Sequence, residues 1–223
     1  MASHRFDAVL FDFDGTVADT GAGIFAGLRH AMAEMGLPEA SDDLLRRFIG
    51  PPIHAAFSEL CGLSDEDCKR ATLLYRAHYN AGGLFELTVY PGIVPLLETL
   101  RANGIRTGVA SSKPRHLIQR ITEGTGIAPL FDVLCGAQAD HIRESKANII
   151  RRAMAELALP TNSRVLMVGD RYFDVDGARE VGIPCAGVLF GYGSAAELRD
   201  AGADFLAATA ADLQKIILNS PKP

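Results

Sequence analysis

Residues 6–13 read Phe-Asp-Ala-Val-Leu-Phe-Asp-Phe, with Val9, Leu10 and Phe11 contiguous. A short apolar run with β-branched and aromatic side chains predicts a buried strand. It stops at Asp12-Phe13-Asp14-Gly15-Thr16, a sharp polar turn. From residue 20 to 35 the period changes. Ile24, Phe25, Leu28, Ala31, Met32 and Met35 recur at helical spacing, and Gly36 follows as a stop. Helical patterning continues to residue 80, and Ser64 with Asp67 three residues on predicts a capping box for a helix over 65–79. No strand pattern interrupts 20–80.

Beyond Tyr90-Pro91-Gly92 the period alternates. Strands are predicted at 106–110, 131–135, 164–168, 185–189 and 204–206. Helices are predicted at 93–103, 114–123, 145–157, 174–181, 195–201 and 211–218. Strands alternating with helices imply right-handed crossovers, and so a parallel sheet covered on both faces. The predicted fold class is α/β: a Rossmann-like parallel sheet with helices on both faces and a small all-helical cap domain inserted after the first strand. The predicted core spans 1–17 and 89–223, and the cap spans 18–88.

Composition removes other classes. The chain has 223 residues, 48% of them hydrophobic and 22% charged, with a formal net charge of −5. These values exclude a disordered chain or a basic protein that coats nucleic acid. The absence of an 18-residue apolar run and of an apolar leader predicts neither membrane span nor secretory signal. Four cysteines, at 61, 68, 135 and 185, form no CxxC pair. They read as free thiols in a reducing cytoplasm. Lysine is scarce, 5 of the 22 basic residues, so each one carries information.

In open parallel sheets, ligands bind beyond the carboxyl ends of the strands. Asp12 and Asp14 follow the first predicted strand there, and Ser111 and Ser112 the second. Gly169-Asp170 and then Asp174 follow the fourth, and Lys146 lies ahead of it. Four aspartates, a hydroxyl pair and a lysine therefore converge on one edge. Asp12 and Asp14, two residues apart, point to the same side while strand geometry holds. Carboxylates so close repel, and a hard cation such as Mg²⁺ resolves the repulsion. Each element also has a plainer reading. Asp174 could cap the helix that follows it, Gly169-Asp170 could be a strand-end turn, and the serines could cap the helix begun by Pro114. Gly191-x-Gly193-x-x-Ala196 could mimic a dinucleotide fingerprint, although little sequence follows it.

These residues resemble the motifs of the haloacid dehalogenase-like hydrolase superfamily. Asp12-Phe13-Asp14-Gly15-Thr16-Val17 is similar to its DxDGT[VL] motif, and Gly169-Asp170-Arg171-Tyr172-Phe173-Asp174 to its GDxxxD motif. Val109-Ala110-Ser111 resembles the strand that ends in Ser or Thr, and Lys146 stands where the family places its lysine. The stretch 18–88, with Gly50-Pro51-Pro52, Gly83-Leu84-Phe85-Glu86 and Gly191-Tyr192-Gly193-Ser194, is similar to the phosphoglycolate-phosphatase-like and 5′-nucleotidase-like branch. Ser112 departs from the Asn of many relatives.

The resemblance implies a Mg²⁺-dependent phosphatase of small phosphomonoesters acting through an aspartyl-phosphate. Nucleoside 5′-monophosphates are the favoured substrates, with 2-phosphoglycolate and a sugar phosphomutase reaction as alternatives. It implies Asp12 as nucleophile, Asp14 as acid and then base, and Lys146 as the charge that faces phosphate. Lys113 is the rival for that last role, expected to point away or to support its loop. Ser111, Ser112, Gly15 and Thr16 would bind substrate. Mg²⁺ would be held by Asp12, Asp170 and the backbone carbonyl of Asp14, with Asp174 behind them. Arg46, Arg47, Gly50-Pro51-Pro52 and the residues after Thr16 are among the candidates for the leaving group. The expected partner is a small phosphorylated metabolite, with no nucleic-acid polymer and no membrane; oligomeric state stays open.

Overall fold

The computed structural model describes residues 4–138 and 144–219. Six strands form one parallel sheet: β1 (Ala8–Phe11), β4 (Arg106–Pro114), β5 (Val133–Ala137), β6 (Val165–Gly169), β7 (Cys185–Val188) and β8 (Phe205–Ala207). Their order is β5-β4-β1-β6-β7-β8. The chain winds outward from β1 on one side, then returns to wind outward on the other. The reversal falls between β1 and β6, the topological switch point where such sheets bind ligands.

β1 lies at the centre and every one of its residues is fully buried. Alternation divides its side chains between two cores. Val9 and Phe11 pack with α5 (Ile93–Ala102), α6 (Arg115–Gly124) and α10 (Ala210–Leu218). Ala8 and Leu10 pack with α7 (Lys146–Glu156), α8 (Tyr172–Val181) and α9 (Ala195–Ala201). Helices therefore cover both faces, as the alternating pattern implies.

Between β1 and α5 lie four more helices, α1 (Gly21–Glu34), α2 (Asp42–Arg46), α3 (Ile53–Cys61) and α4 (Asp65–Ala81). The Ser64 hydroxyl accepts from the Asp67 amide at 3.2 Å at the start of α4. The reciprocal bond differs from the expected box, because the Asp67 carboxylate accepts from the Ser64 hydroxyl at 2.7 Å. An antiparallel ribbon closes the entry and exit of this helical stretch: β2 (Ala18–Asp19) pairs with β3 (Thr88–Val89). Two residues per strand are too few to show alternation, so the sequence pattern carries no trace of it.

The largest departure from the predicted elements is β4. Its expected end at residue 110 moves to 114, because Ser111 pairs with Gly136 and Pro114 with Ala137, with a register shift between them. Such a bulge bends a strand and re-aims its side chains. The serines therefore belong to the strand end, and α6 starts from Pro114 with no side-chain cap.

The starts of β1 and β6 are tied by Asp7 and Arg164. The Arg164 backbone amide and guanidinium both donate to the Asp7 carboxylate, at 2.8 to 3.2 Å. These hydrogen bonds, helped by the guanidinium charge, hold Asp7 below its ordinary pKa of 3.8. A carboxyl depressed in the folded state stabilises above that value and stops doing so as pH falls through its folded value. Asp7→Asn should therefore lower the urea midpoint modestly at pH 7, with the gap to wild type closing below pH 3.8. A gap of equal size at pH 3 and pH 7 would contradict the assignment.

Candidate active site

The site lies beyond the carboxyl ends of β1, β4 and β6. Asp12 follows β1, and its amide donates to the Val168 carbonyl at 2.8 Å, so β6 fixes where it stands. Asp170 follows β6, and Asp174 sits in the first turn of α8. One carboxylate oxygen from each of these three can be chosen so that all lie within 4.8 Å of one another, and all three residues are buried.

Asp174 is not the cap residue of α8. Arg171 holds that place, and the Asp174 carboxylate accepts from its amide at 3.1 Å. Its other oxygen lies 2.7 Å from the Lys146 ammonium, which also lies 2.9 Å from Asp12. Burial works against the charge of Lys146, but Asp12 and Asp174 outweigh it and raise its pKa. Burial pushes Asp174 up to about 6, against the pull of Lys146. Burial also drives Asp170 well above the usual carboxylate range, and the charges of Asp174 and Asp12 add to this. Three buried oxygens whose charges oppose one another are a donor set for a hard divalent cation. Four carboxylates here, counting Asp14, face two ammonium groups, Lys113 and Lys146. When all six are ionised, two negative charges remain, and a divalent ion fits that deficit.

Asp14 turns to different partners. Its Oδ1 accepts from the Thr20 hydroxyl at 2.7 Å and from Lys113 Nζ at 2.9 Å. Of the two expectations for Lys113, pointing away or supporting its loop, the first does not hold. The bulge in β4 carries its side chain into the site, where the ammonium also donates to the Tyr79 hydroxyl at 2.8 Å. Burial opposes its charge, yet Asp14 and Tyr79 push its pKa up to about 12. Both lysines singled out by their scarcity thus reach aspartates of the site, each a different pair of partners.

The remaining predicted contacts divide. Ser111 and Ser112 line a cavity of about 310 Å³, together with Asp12, Asp14 and Lys113. Ser111 is buried, and its hydroxyl accepts from the Lys113 amide at 3.2 Å. Gly15 and Thr16 do not line that cavity. Thr16 donates to Asp170 at 3.3 Å, and a Cβ on Gly15 would meet the same carboxylate at 2.3 Å. Gly50-Pro51-Pro52 line the cavity, whereas Arg46 and Arg47 are exposed elsewhere. The cavity lining also contains residues the sequence reading missed: Tyr75, Arg76, Tyr79 and Asn80 of α4, with His54 and His116. The available signal was the pair of i,i+4 couples on α4, Tyr75 with Tyr79 and Arg76 with Asn80, which share neighbouring stripes of one helix.

Gly191 and Gly193 have a local reason of their own. A Cβ on Gly191 would lie 2.4 Å from the Asp170 Cβ, and one on Gly193 would lie 1.9 Å from the Asp170 carbonyl oxygen. The Tyr192 amide between them donates to Asp170 at 2.7 Å. The two glycines let this loop press onto Asp170, which removes the dinucleotide-fingerprint reading.

With this geometry in place, comparison with known proteins decides the family. The model of the haloacid dehalogenase-like hydrolase family matches residues 9–188. The chain belongs to that family. Among its relatives is the tyrosine-protein kinase PtkA of Mycobacterium tuberculosis, 41% identical over 187 residues, which are 84% of this chain. The match spans 63% of that relative's length. A 5′-nucleotidase from Pseudomonas aeruginosa is 35% identical over 198 residues, 89% of each protein. A crystal structure described as a predicted phosphatase from Clostridium acetobutylicum superposes with a TM-score of 0.89 at 34% identity, covering 95% of this chain and 97% of that one. No helix among the described residues is long and apolar enough to cross a membrane.

The packing of the glycine loop gives a direct test. Gly193→Ala should cost about 1–3 kcal/mol, the usual range for forcing an atom into a filled space. Thermal unfolding reads this, and an unchanged midpoint would mean that the loop does not hold Asp170.

Proposed function

We propose that the protein is a Mg²⁺-dependent phosphatase of small phosphomonoesters, with nucleoside 5′-monophosphates as the favoured substrates. The observation that carries this reading is the buried trio Asp12, Asp170 and Asp174, with Lys146 against two of its members, at the edge of a cavity that Asp12 shares with Ser111. A hard cation and an ammonium group on one carboxylate suit phosphoryl transfer, where catalysis is mostly positioning and charge stabilisation.

In this reading Asp12 attacks phosphorus and carries the phosphoryl group as an acyl-phosphate. Asp14 gives a proton to the departing alkoxide, and as a carboxylate then takes one from the water that hydrolyses the acyl-phosphate. Ser111 and Ser112 bind phosphoryl oxygens, and Lys146 offsets their charge. Gly15 and Thr16 act behind them, by shaping the Asp170 side chain. Asp12, Asp170 and the Asp14 carbonyl would hold Mg²⁺, with Asp174 behind them, and the bound ion would supply charge neutralisation at the phosphoryl oxygens.

Residues 18–88 act as a cap over a core of 1–17 and 89–223, and α4 supplies its wall. A cavity of about 310 Å³ falls in the range of pockets that enclose a drug-sized ligand. It offers more room than a two-carbon phosphoester needs. Phe48, Tyr75 and Tyr79 give it aromatic surface, which suits a nucleoside better than 2-phosphoglycolate or a hexose phosphate. The similarity to a 5′-nucleotidase over 89% of each chain supports the same choice. Four free cysteines support a cytoplasmic setting.

The mycobacterial relative named as a tyrosine-protein kinase supports a second reading, in which the phosphoryl group comes from ATP and passes to a tyrosine hydroxyl. Phosphate release from nucleoside 5′-monophosphates, 2-phosphoglycolate and sugar phosphates, run beside ATP with a tyrosine peptide, separates the two. EDTA should stop the release and Mg²⁺ restore it. Asp12→Asn should lower turnover by more than about a thousandfold, the scale of losing a reacting group. Label appearing on the peptide without free phosphate would favour the kinase reading, and an active Asp12→Asn enzyme would remove Asp12 as nucleophile.

A further inference from the structure

Lys113 is the charged side chain of the site that the trio and Lys146 leave unexplained. Its side chain is 4% exposed, and its contacts go to groups other than Asp12, Asp170 and Asp174. One goes to Asp14 Oδ1 and the other to the Tyr79 hydroxyl, on α4 of the helical insertion. Tyr79 is fixed in turn: it is 1% exposed and stacks on Tyr75 with ring centroids 5.5 Å apart and planes 14° from parallel. The Thr20 hydroxyl, just before α1, supplies the second donor to the same Asp14 oxygen. Oδ1 is thus held by two donors from two separate stretches of chain. Among the described residues Oδ2 takes no donor, and Asp14 lines the cavity.

We infer that Lys113, braced by Tyr79, is a positioning residue for Asp14, fixing one carboxylate oxygen so that the other is the one that exchanges a proton with the ester oxygen. The inference rests on the phosphatase reading and adds to it a link between the helical insertion and proton transfer. When the bond from phosphorus to the ester oxygen breaks, that oxygen keeps the electron pair. Asp14 supplies the proton and is left as a carboxylate, the form that accepts a proton from water in the next step. A misplaced Asp14 therefore harms esters whose leaving oxygen needs a proton, and spares those whose leaving group departs as a stable anion. Because Tyr79 comes from the insertion, the bracing exists only when α4 lies over the end of β4.

The test compares two esters on the intact chain, an alkyl phosphate and 4-nitrophenyl phosphate, in wild type, Lys113→Met and Tyr79→Phe. The ratio of kcat on the alkyl ester to kcat on the aryl ester should fall about tenfold or more in Lys113→Met, a part of the roughly 10²–10⁴-fold that a general acid contributes. It should fall in the same direction, by a smaller factor, in Tyr79→Phe, with KM for both esters little changed. Equal losses on both esters would overturn the inference and make Lys113 a structural residue. A rise in KM on both, with the ratio kept, would overturn it and make Lys113 a phosphate ligand. Tyr79→Phe removes a single oxygen and decides the matter if Lys113→Met fails to fold by circular dichroism. A wild type that releases phosphate from neither ester would instead sink the phosphatase reading, and the inference with it.

Discussion

Several like charges have to be buried at one edge of this sheet, and much of the surrounding structure serves that requirement. Asp12, Asp170 and Asp174 are buried within reach of one another. Removing carboxylates from water is expensive unless each finds partners. Lys146 answers two of them from the first residue of α7. Backbone amides of Arg171 and Tyr192 answer Asp174 and Asp170. The glycines at 15, 191 and 193 are small because Asp170 has neighbours on several sides. What these partners leave is a net negative charge, which suits a cation.

The strand order puts that cluster where it is. β1 and β6 are neighbours across the reversal of winding, so the residues just past their ends face the same crevice. Neither strand alone brings the aspartates together. The amide of Asp12 bonds to the carbonyl of Val168, the residue two before Asp170. A shift of one residue in that pairing would turn Asp12 to the other face.

Periodicity made the sheet, its helices and their order legible, because buried parallel strands are short apolar runs and the helices carry 3.6-residue stripes. The acidic residues were legible for a related reason: strand ends in such a sheet share one edge, so Asp12, Asp170 and Asp174 could be gathered without coordinates. Three features were not. The two-residue β2–β3 ribbon has no period to read. The bulge at 111–114 depends on how β4 meets β5, and Lys113 lies within it. The lining formed by Tyr75, Arg76, Tyr79 and Asn80 depends on α4 reaching the end of β4, a long-range placement that the i,i+4 couples on α4 do not fix.

The β2–β3 ribbon has a consequence for the length of the chain between its strands. Its pairing holds Ala18 opposite Val89 and Asp19 opposite Thr88, so everything between leaves and returns at nearly one point in space. The strands of the sheet do not register how many residues lie in that excursion. A loop pinned at its neck has a closure cost that grows only slowly with its length. The helices over the site can therefore lengthen, shorten or be replaced without stretching β1 or moving Asp12. Asp12 is thereby insulated from the size of the insertion, whereas Asp14 is not, because Lys113 ties it to Tyr79 of α4.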